Sequence, residues 1–214
     1  RREEDDTVVR HDMHPRGDGI TMCQAVSALA DAEHGDAVIV TDVGQNQMMA
    51  ARYFKFSEQR SIVTSGGMGT MGFGLPAAIG ATFGAPGRMV CLFLGDGGIQ
   101  MTLQELGTIM EQRSPVKIIL LNNNYLGNVR QWQEMFFGKR YSFTPMMNPD
   151  YNMIASAYGI PNRTVVERED LAAAIQEMVD TDGPYLLQVA VIEEGRVLPM
   201  CCPGNDVDDM VLDY

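Results

Sequence analysis

The residues best suited to chemistry in this 214-residue chain stand in two short polar runs, each placed directly after an apolar one. Gly95, Asp96 and Gly97 follow the apolar run from Met89 to Leu94, and Asn122, Asn123 and Asn124 follow the run from Val116 to Leu121. Twenty-four residues separate Gly97 from Asn122, room for one helix and one strand. A single crossover of that kind brings Asp96 and Asn123 to neighbouring positions on the same edge of a parallel sheet. One carboxylate oxygen and one amide oxygen suit a hard cation such as Mg²⁺. Two side chains do not complete an octahedron, so a backbone carbonyl, water and phosphate oxygens would supply the rest. Gly95 and Gly97 let the backbone approach a diphosphate, and the helix that follows offers N–H groups and the positive end of its dipole.

A second glycine run asks for another reading. Gly67, Gly69 and Gly72 fit G-x-G-x-x-G between an expected strand and an expected helix, and Asp96 follows at the end of the next strand. That pattern suits a dinucleotide site, or simply a loop packed close to its surroundings. Bland readings stand beside the sharp ones elsewhere too. Asp96 also suits a helix N-cap, and asparagines are common turn formers. Trp132 and Phe136, four apart, read equally as a packed helix stripe. His11, His14 and His34 lack the spacing of a common zinc motif.

Composition narrows the partners. Sixteen Lys and Arg against 28 Asp and Glu give a net charge of −12, which opposes nucleic acid or an anionic membrane surface as the main partner. No apolar run approaches the ~20 residues of a membrane helix. The four cysteines at 23, 91, 201 and 202 include no C-x-x-C pair and suit a reducing, cytoplasmic setting, with Cys91 an inert buried thiol. The polar opening, Arg1, Arg2, Glu3, Glu4, Asp5 and Asp6, suggests a piece of a longer chain.

The elements that must position these residues alternate. Thr21 and Gln24 form a capping-box pattern opening a helix to about Glu33, followed by a strand at 37–40 and a helix through about Tyr53. A short strand at 61–64, a helix at about 75–83 and the strand 89–94 come next. Thr102 and Glu105 predict a second capping box on a helix ending before Pro115. The strand 116–121, helices at about 127–136 and 151–158, a helix at 170–179 and a strand at 185–191 complete the series. Such alternation predicts an α/β fold, a mostly parallel sheet with helices on both faces. Residues 1–20 read as a polar linker or arm, 21–192 as one domain, and 193–214 as a tail with acidic residues at 206, 208, 209 and 213.

The motif Gly95 to Gly97 with Asn122 and Asn123 resembles the cofactor motif of thiamine diphosphate (ThDP) enzymes. The resemblance extends over about 190 residues to the acetohydroxyacid (acetolactate) synthase large subunit. Val43 to Met48, Ser65 to Pro76, Val116 to Trp132, Met146 to Tyr151 and Leu198 to Met200 carry it. It implies the diphosphate-binding C-terminal domain of that subunit, with Asp96, Asn123 and the Tyr125 carbonyl on Mg²⁺. It places Gly95, Gly97, Gly98, Gln45 and Asn46 against the diphosphate, although position 46 is commonly His in the family. Gly69 and Met71 would serve the pyrimidine ring, Met71 as the wedge that bends the cofactor. Asn128, where several members carry Met, together with Val129 and Trp132, would line the substrate channel.

The implied reaction joins two pyruvates, or pyruvate and 2-ketobutyrate, with loss of CO₂, in branched-chain amino-acid biosynthesis. The activating Glu belongs to a different domain from a neighbouring subunit, and FAD, expected for the full-length family, has no place on this segment. A homo-oligomer, or a subunit carrying the pyrimidine-binding domain, and a regulatory small subunit are the further partners implied. Pyruvate oxidase or decarboxylase chemistry, or a noncatalytic cofactor-binding assembly module, are the alternatives.

Overall fold

The computed structural model describes residues 5–193, 195–201, 204–206 and 208–212. Arg1 to Glu4, Cys202 and Asp213, which figure in the expectations above, lie outside the described residues.

The runs read as buried strands form the middle of one sheet. Strands β1 (Val38–Thr41), β2 (Ile62–Val63), β3 (Val90–Gly95), β4 (Val116–Asn122), β5 (Asn162–Val165) and β6 (Tyr185–Ala190) are all parallel, in the order β2-β1-β3-β4-β6-β5. β3 and β4 are central and apolar on both faces because both faces are covered. Helices α2 (Met22–Ala32), α3 (Gln45–Tyr53) and α9 (Leu171–Asp180) pack with Ile39, Cys91, Phe93, Ile119 and Leu187 on one face. On the other, α4 (Gly74–Gly84), α6 (Glu105–Gln112) and α8 (Tyr151–Ala157) pack with Val40, Leu92, Leu94, Ile118 and Leu120. No helix among the described residues is long and apolar enough to cross a membrane.

The Thr21 capping box forms in both directions: Gln24 N–H donates to Thr21 Oγ1 at 3.3 Å, and Thr21 N–H donates to Gln24 Oε1 at 3.0 Å. The second box does not. Thr102 Oγ1 instead donates to the carbonyl of Gly72 at 3.1 Å, and Glu105 accepts from Thr108 Oγ1. Thr102 is used to hold the glycine loop, so α6 begins at Glu105 without a side-chain cap. Two of the unexpected elements lie close to the site or on the sheet itself. The short α5 (Asp96–Met101) starts at the motif itself, and β5 is an edge strand whose polar sequence, Asn162, Arg163 and Thr164, hides it.

The described residues towards both ends are docked on this frame. Asp5–Val9 forms a π-helical turn and Arg10–Met13 a short helix, α1; Val8 and Asp12 are buried, and Tyr53 Oη donates to the Asp12 carboxylate. Near the other end, Val197 and Leu198 are buried, and β7 (Met200–Cys201) pairs antiparallel with β8 (Met210–Val211).

Candidate functional site

In an open parallel sheet, ligands bind outside the C-terminal ends of the strands where the winding direction reverses. Here the reversal lies between β1 and β3: β2 lies on one side of β1 and β3 on the other. An open cleft of about 420 Å³ occupies that place, lined from the loop after β1 by Val43 to Asn46, from the turn after β3 by Gly95 to Gly98, and from the segment after β4 by Asn123 and Tyr125 to Val129. Met71 reaches in from the glycine loop.

Each lining segment opens a helix. α3 begins at Gln45, α5 at Asp96 and α7 (Gly127–Phe136) at Gly127, and none of the three has a side-chain cap. Uncapped N-termini leave backbone N–H groups and positive dipole ends turned towards one cleft, an arrangement that favours an anion. Among the described residues, no Lys, Arg or His lines it.

The one carboxylate is Asp96, 1% exposed. Its Oδ1 accepts from the Gly97 N–H at 3.1 Å and its Oδ2 from Asn148 Nδ2 at 2.8 Å. Burial pushes its carboxyl above the usual range, and the hydrogen bond from Asn148 opposes that push. β3 and β4 pair with Gly95 opposite Leu121, which brings Asn123 to the same edge. Asn123 is buried; its Oδ1 accepts from the Tyr125 N–H at 3.3 Å. A cation shared by one carboxylate and amide oxygens fits this donor set. No group of three or more His, Cys, Asp or Glu comes together among the described residues, so such a cation would take its other oxygens from the backbone, water or a bound anion. The buried amide oxygens of Asn46 and Asn128, two residues of the lining, have no partner among the described residues.

The glycine loop is arranged differently from a dinucleotide turn. The N–H groups of Gly72 and Gly74 donate to the buried Asp42 carboxylate, at 3.1 and 2.9 Å, so they are occupied by the chain itself. Gly74 packs so close that a Cβ would lie 2.9 Å from the Asp42 nitrogen and from Leu92 Cδ1. Gly69, at φ +60°, and Met68, 90% exposed, lie in the open part of the loop. Met71 crosses to the diphosphate-type turn: a Cβ on Gly97 would be 3.5 Å from Met71 Cε.

Comparison with known proteins agrees with this geometry. Residues 42–189 match the family model of the thiamine pyrophosphate enzyme C-terminal TPP binding domain. The chain belongs to that family. The match begins at Asp42, the residue that ties the glycine loop to the end of β1, and takes in β2 to β5 and all but the last residue of β6. The chain is 44% identical over 199 residues to the acetolactate synthase isozyme 2 large subunit of Escherichia coli K12, covering 92% of this chain and 36% of that protein. It is 44% identical over 221 residues to acetolactate synthase 1, chloroplastic, of Nicotiana tabacum, covering 99% and 33%. It therefore spans about a third of the length of these relatives. Among solved structures, a thiamine diphosphate-dependent 4-hydroxybenzoylformate decarboxylase from Rhodococcus jostii RHA1 superposes with a TM-score of 0.76 at 27% identity, covering 84% of this chain and 34% of that one.

Of the residues singled out by sequence, Gln45, Asn46, Met71, Gly95, Asp96, Gly97, Gly98, Asn123, Tyr125, Asn128 and Val129 line the cleft. Asn128, Val129 and Trp132 also line an adjoining, wider cavity with Gln133, Phe137 and Arg140. Trp132 makes an edge-on contact with Phe136, centroids 5.5 Å apart, so Trp132 belongs both to the helix stripe and to the cavity wall. Both donor hydrogens of Gln45 are committed within the chain, to Gln131 Oε1 and the Gly195 carbonyl. Three residues of the site were missed by sequence reasoning: Asp42, Gln131 and Asn148. Gln131 and Asn148 stand inside segments that carry the resemblance, 116–132 and 146–151, and that was the signal that could have found them. Asn148 Nδ2 faces Asp96, Asn122 and Asn124 at 2.8, 3.1 and 3.2 Å.

Proposed function

We propose that this chain is the diphosphate-side half of the active site of an acetolactate synthase catalytic subunit. In this reading the subunit joins two 2-ketoacids, pyruvate with pyruvate or with 2-ketobutyrate, with loss of CO₂. The observation that carries the cofactor geometry is the cleft itself: three uncapped helix N-termini, one buried carboxylate, buried amides and, among the described residues, no basic side chain. A diphosphate held there requires a divalent cation, and Asp96 and Asn123, with the Tyr125 carbonyl, are the groups we assign to Mg²⁺. When bound, thiamine diphosphate supplies an electron sink for the charge left by decarboxylation.

The chain's own residues do the rest of this half-site's work. Gly95, Gly97 and Gly98 keep the turn free of side chains where the diphosphate lies, and Asn46 has its NH₂ end beside Gly95, where a Cβ would lie 3.6 Å from Nδ2, to donate to it. Met71 and the Gly69 carbonyl support the aminopyrimidine, Met71 from a position already turned towards Gly97. Asn128, Val129 and Trp132 form the wall between the cleft and the outer cavity through which 2-ketoacids arrive. The activating carboxylate comes from another domain of a neighbouring subunit, so the working unit is an oligomer, with a regulatory small subunit as a further partner. The cytoplasm, or another reducing compartment, suits the buried thiols Cys23 and Cys91.

The structural likeness to a decarboxylase supports the cofactor half alone; identity of 44% to the synthases against 27% to the decarboxylase favours the synthase. Calorimetric titration with thiamine diphosphate and Mg²⁺, beside Asp96→Ala and an NAD control, tests the site. Metal-dependent binding lost in Asp96→Ala is the expected result, and NAD binding without metal would overturn it. Product analysis of the full-length subunit separates the reactions: acetolactate is expected, and aldehyde alone would make the chain part of a decarboxylase.

A further inference from the structure

Three amides far apart in sequence run in a line from the C-terminal segment to the cleft. Gln131, on α7, is 1% exposed and pairs with both polar groups of the Val197 backbone. The Val197 N–H donates to Gln131 Oε1 at 2.9 Å, and Gln131 Nε2 donates to the Val197 carbonyl at 3.0 Å. A backbone N–H only donates and a carbonyl only accepts, so this pair dictates which end of the Gln131 amide is oxygen. Gln45 Nε2 donates to that same oxygen at 2.9 Å and to the Gly195 carbonyl at 2.8 Å. Gln45 Oε1 is thereby turned towards Asn123, whose Nδ2 lies 3.5 Å away. Asn123 Oδ1 is left on the other side, beside the Tyr125 N–H. Gly127 is the gap through which the last two amides meet: a Cβ there would overlap Gln45 Oε1 and lie 2.7 Å from Asn123 Nδ2.

We propose that Gln131 is a positioning residue that transmits the hydrogen-bond polarity of the 195–197 backbone, through Gln45, to Asn123, so that the cation meets the oxygen of Asn123 and not its NH₂. Seating the 195–197 segment and orienting the cation ligand are then one event. A flipped amide would aim N–H groups at a cation, so orientation controls affinity as much as position does. Partners of metal ligands are typically worth 10- to 100-fold in metal affinity. Because Asn123 also has the Tyr125 N–H, the lower end of that range applies. This inference rests on the assignment of Asp96 and Asn123 to the cation.

Two measurements test it. In the isotope-labelled chain without cofactor, the side-chain amide hydrogens of Asn123 should exchange at least tenfold faster in Gln131→Leu. In the full-length subunit with thiamine diphosphate, Mn²⁺ affinity read by electron paramagnetic resonance should fall about tenfold in Gln131→Leu and in Gly127→Ala. The second variant keeps helix α7 favourable, since alanine is the better helix former. Gln131→Glu should lose most affinity at high pH and recover, relative to the unsubstituted protein, as the new carboxyl protonates and again presents one acceptor and one donor. A merely structural role predicts no such recovery. Unchanged Mn²⁺ affinity in Gln131→Leu, with binding abolished in Asp96→Ala, would overturn the relay alone. Binding that survives Asp96→Ala would overturn the cation site beneath it.

Discussion

Replacing Asp42 by asparagine should loosen the glycine loop far more than a change of one atom suggests. The Asp42 carboxylate is fully buried and accepts three backbone N–H groups: Val43 at 2.8 Å, Gly72 at 3.1 Å and Gly74 at 2.9 Å. The Val43 and Gly72 bonds share Oδ1, and the Gly74 bond uses Oδ2. In Asp42→Asn the least costly orientation keeps Oδ1 and sets an NH₂ against the Gly74 N–H, orphaning one buried donor. Gly74 is itself packed so tightly, with a Cβ there 2.9 Å from the Asp42 nitrogen and from Leu92 Cδ1, that no room is left for a water to repair the loss. A lost charge-assisted bond with an orphaned buried donor costs about 2–3 kcal/mol. On a urea slope of roughly 2–3 kcal/mol per molar, the unfolding midpoint should drop by about 1 M. Amide exchange at Gly72 and Gly74 should accelerate roughly 30- to 150-fold if the loop opens locally at that cost. A midpoint that does not move, with unchanged exchange at both glycines, would refute the argument that this carboxylate anchors the loop.

Two further outcomes follow from half-buried polar groups. Arg196 hydrogen-bonds Glu134 at 2.7 Å, and with Arg130 and Lys139 nearby it holds the Glu134 carboxyl below the usual range. A depressed folded value means stability present above the ordinary glutamate range and lost as pH falls through it and below. Urea midpoints of Glu134→Gln should therefore lie under those of the unsubstituted chain at neutral pH and converge with them in acid. Asn148→Ala removes the side-chain donor to Asp96 Oδ2, and Mg²⁺ titration in the presence of thiamine diphosphate should show about tenfold weaker affinity at fixed pH.

Much of the site is legible in the chain because its chemistry is contiguous. The turn 95–98, the asparagines 122–124 and the glycine loop each lie directly after a strand, and parallel strands deliver such turns to one edge without any knowledge of packing. The apolar runs of β3 and β4 show their central place for the same reason: burial on both faces leaves no polar alternation. Local cues fail where a tertiary partner outbids them. Thr102 carries a capping-box spacing yet serves the Gly72 carbonyl, and β5 pairs at the sheet edge with a sequence too polar to announce itself.

The sequence by itself determined the fold class, the edge of the sheet that bears the chemistry and the presence of a lone carboxylate among glycines and amides, since periodicity and strand-end placement are local properties. Only the tertiary structure decided what holds those groups in place. Asp42 reaches the glycine loop across 30 and 32 residues, Asn148 reaches Asp96 across 52, and Gln131 joins Gln45 across 86 and Val197 across 66. A hydrogen bond depends on where two atoms meet and in which direction each points, and no spacing along a chain records a meeting made by the folding of the whole sheet.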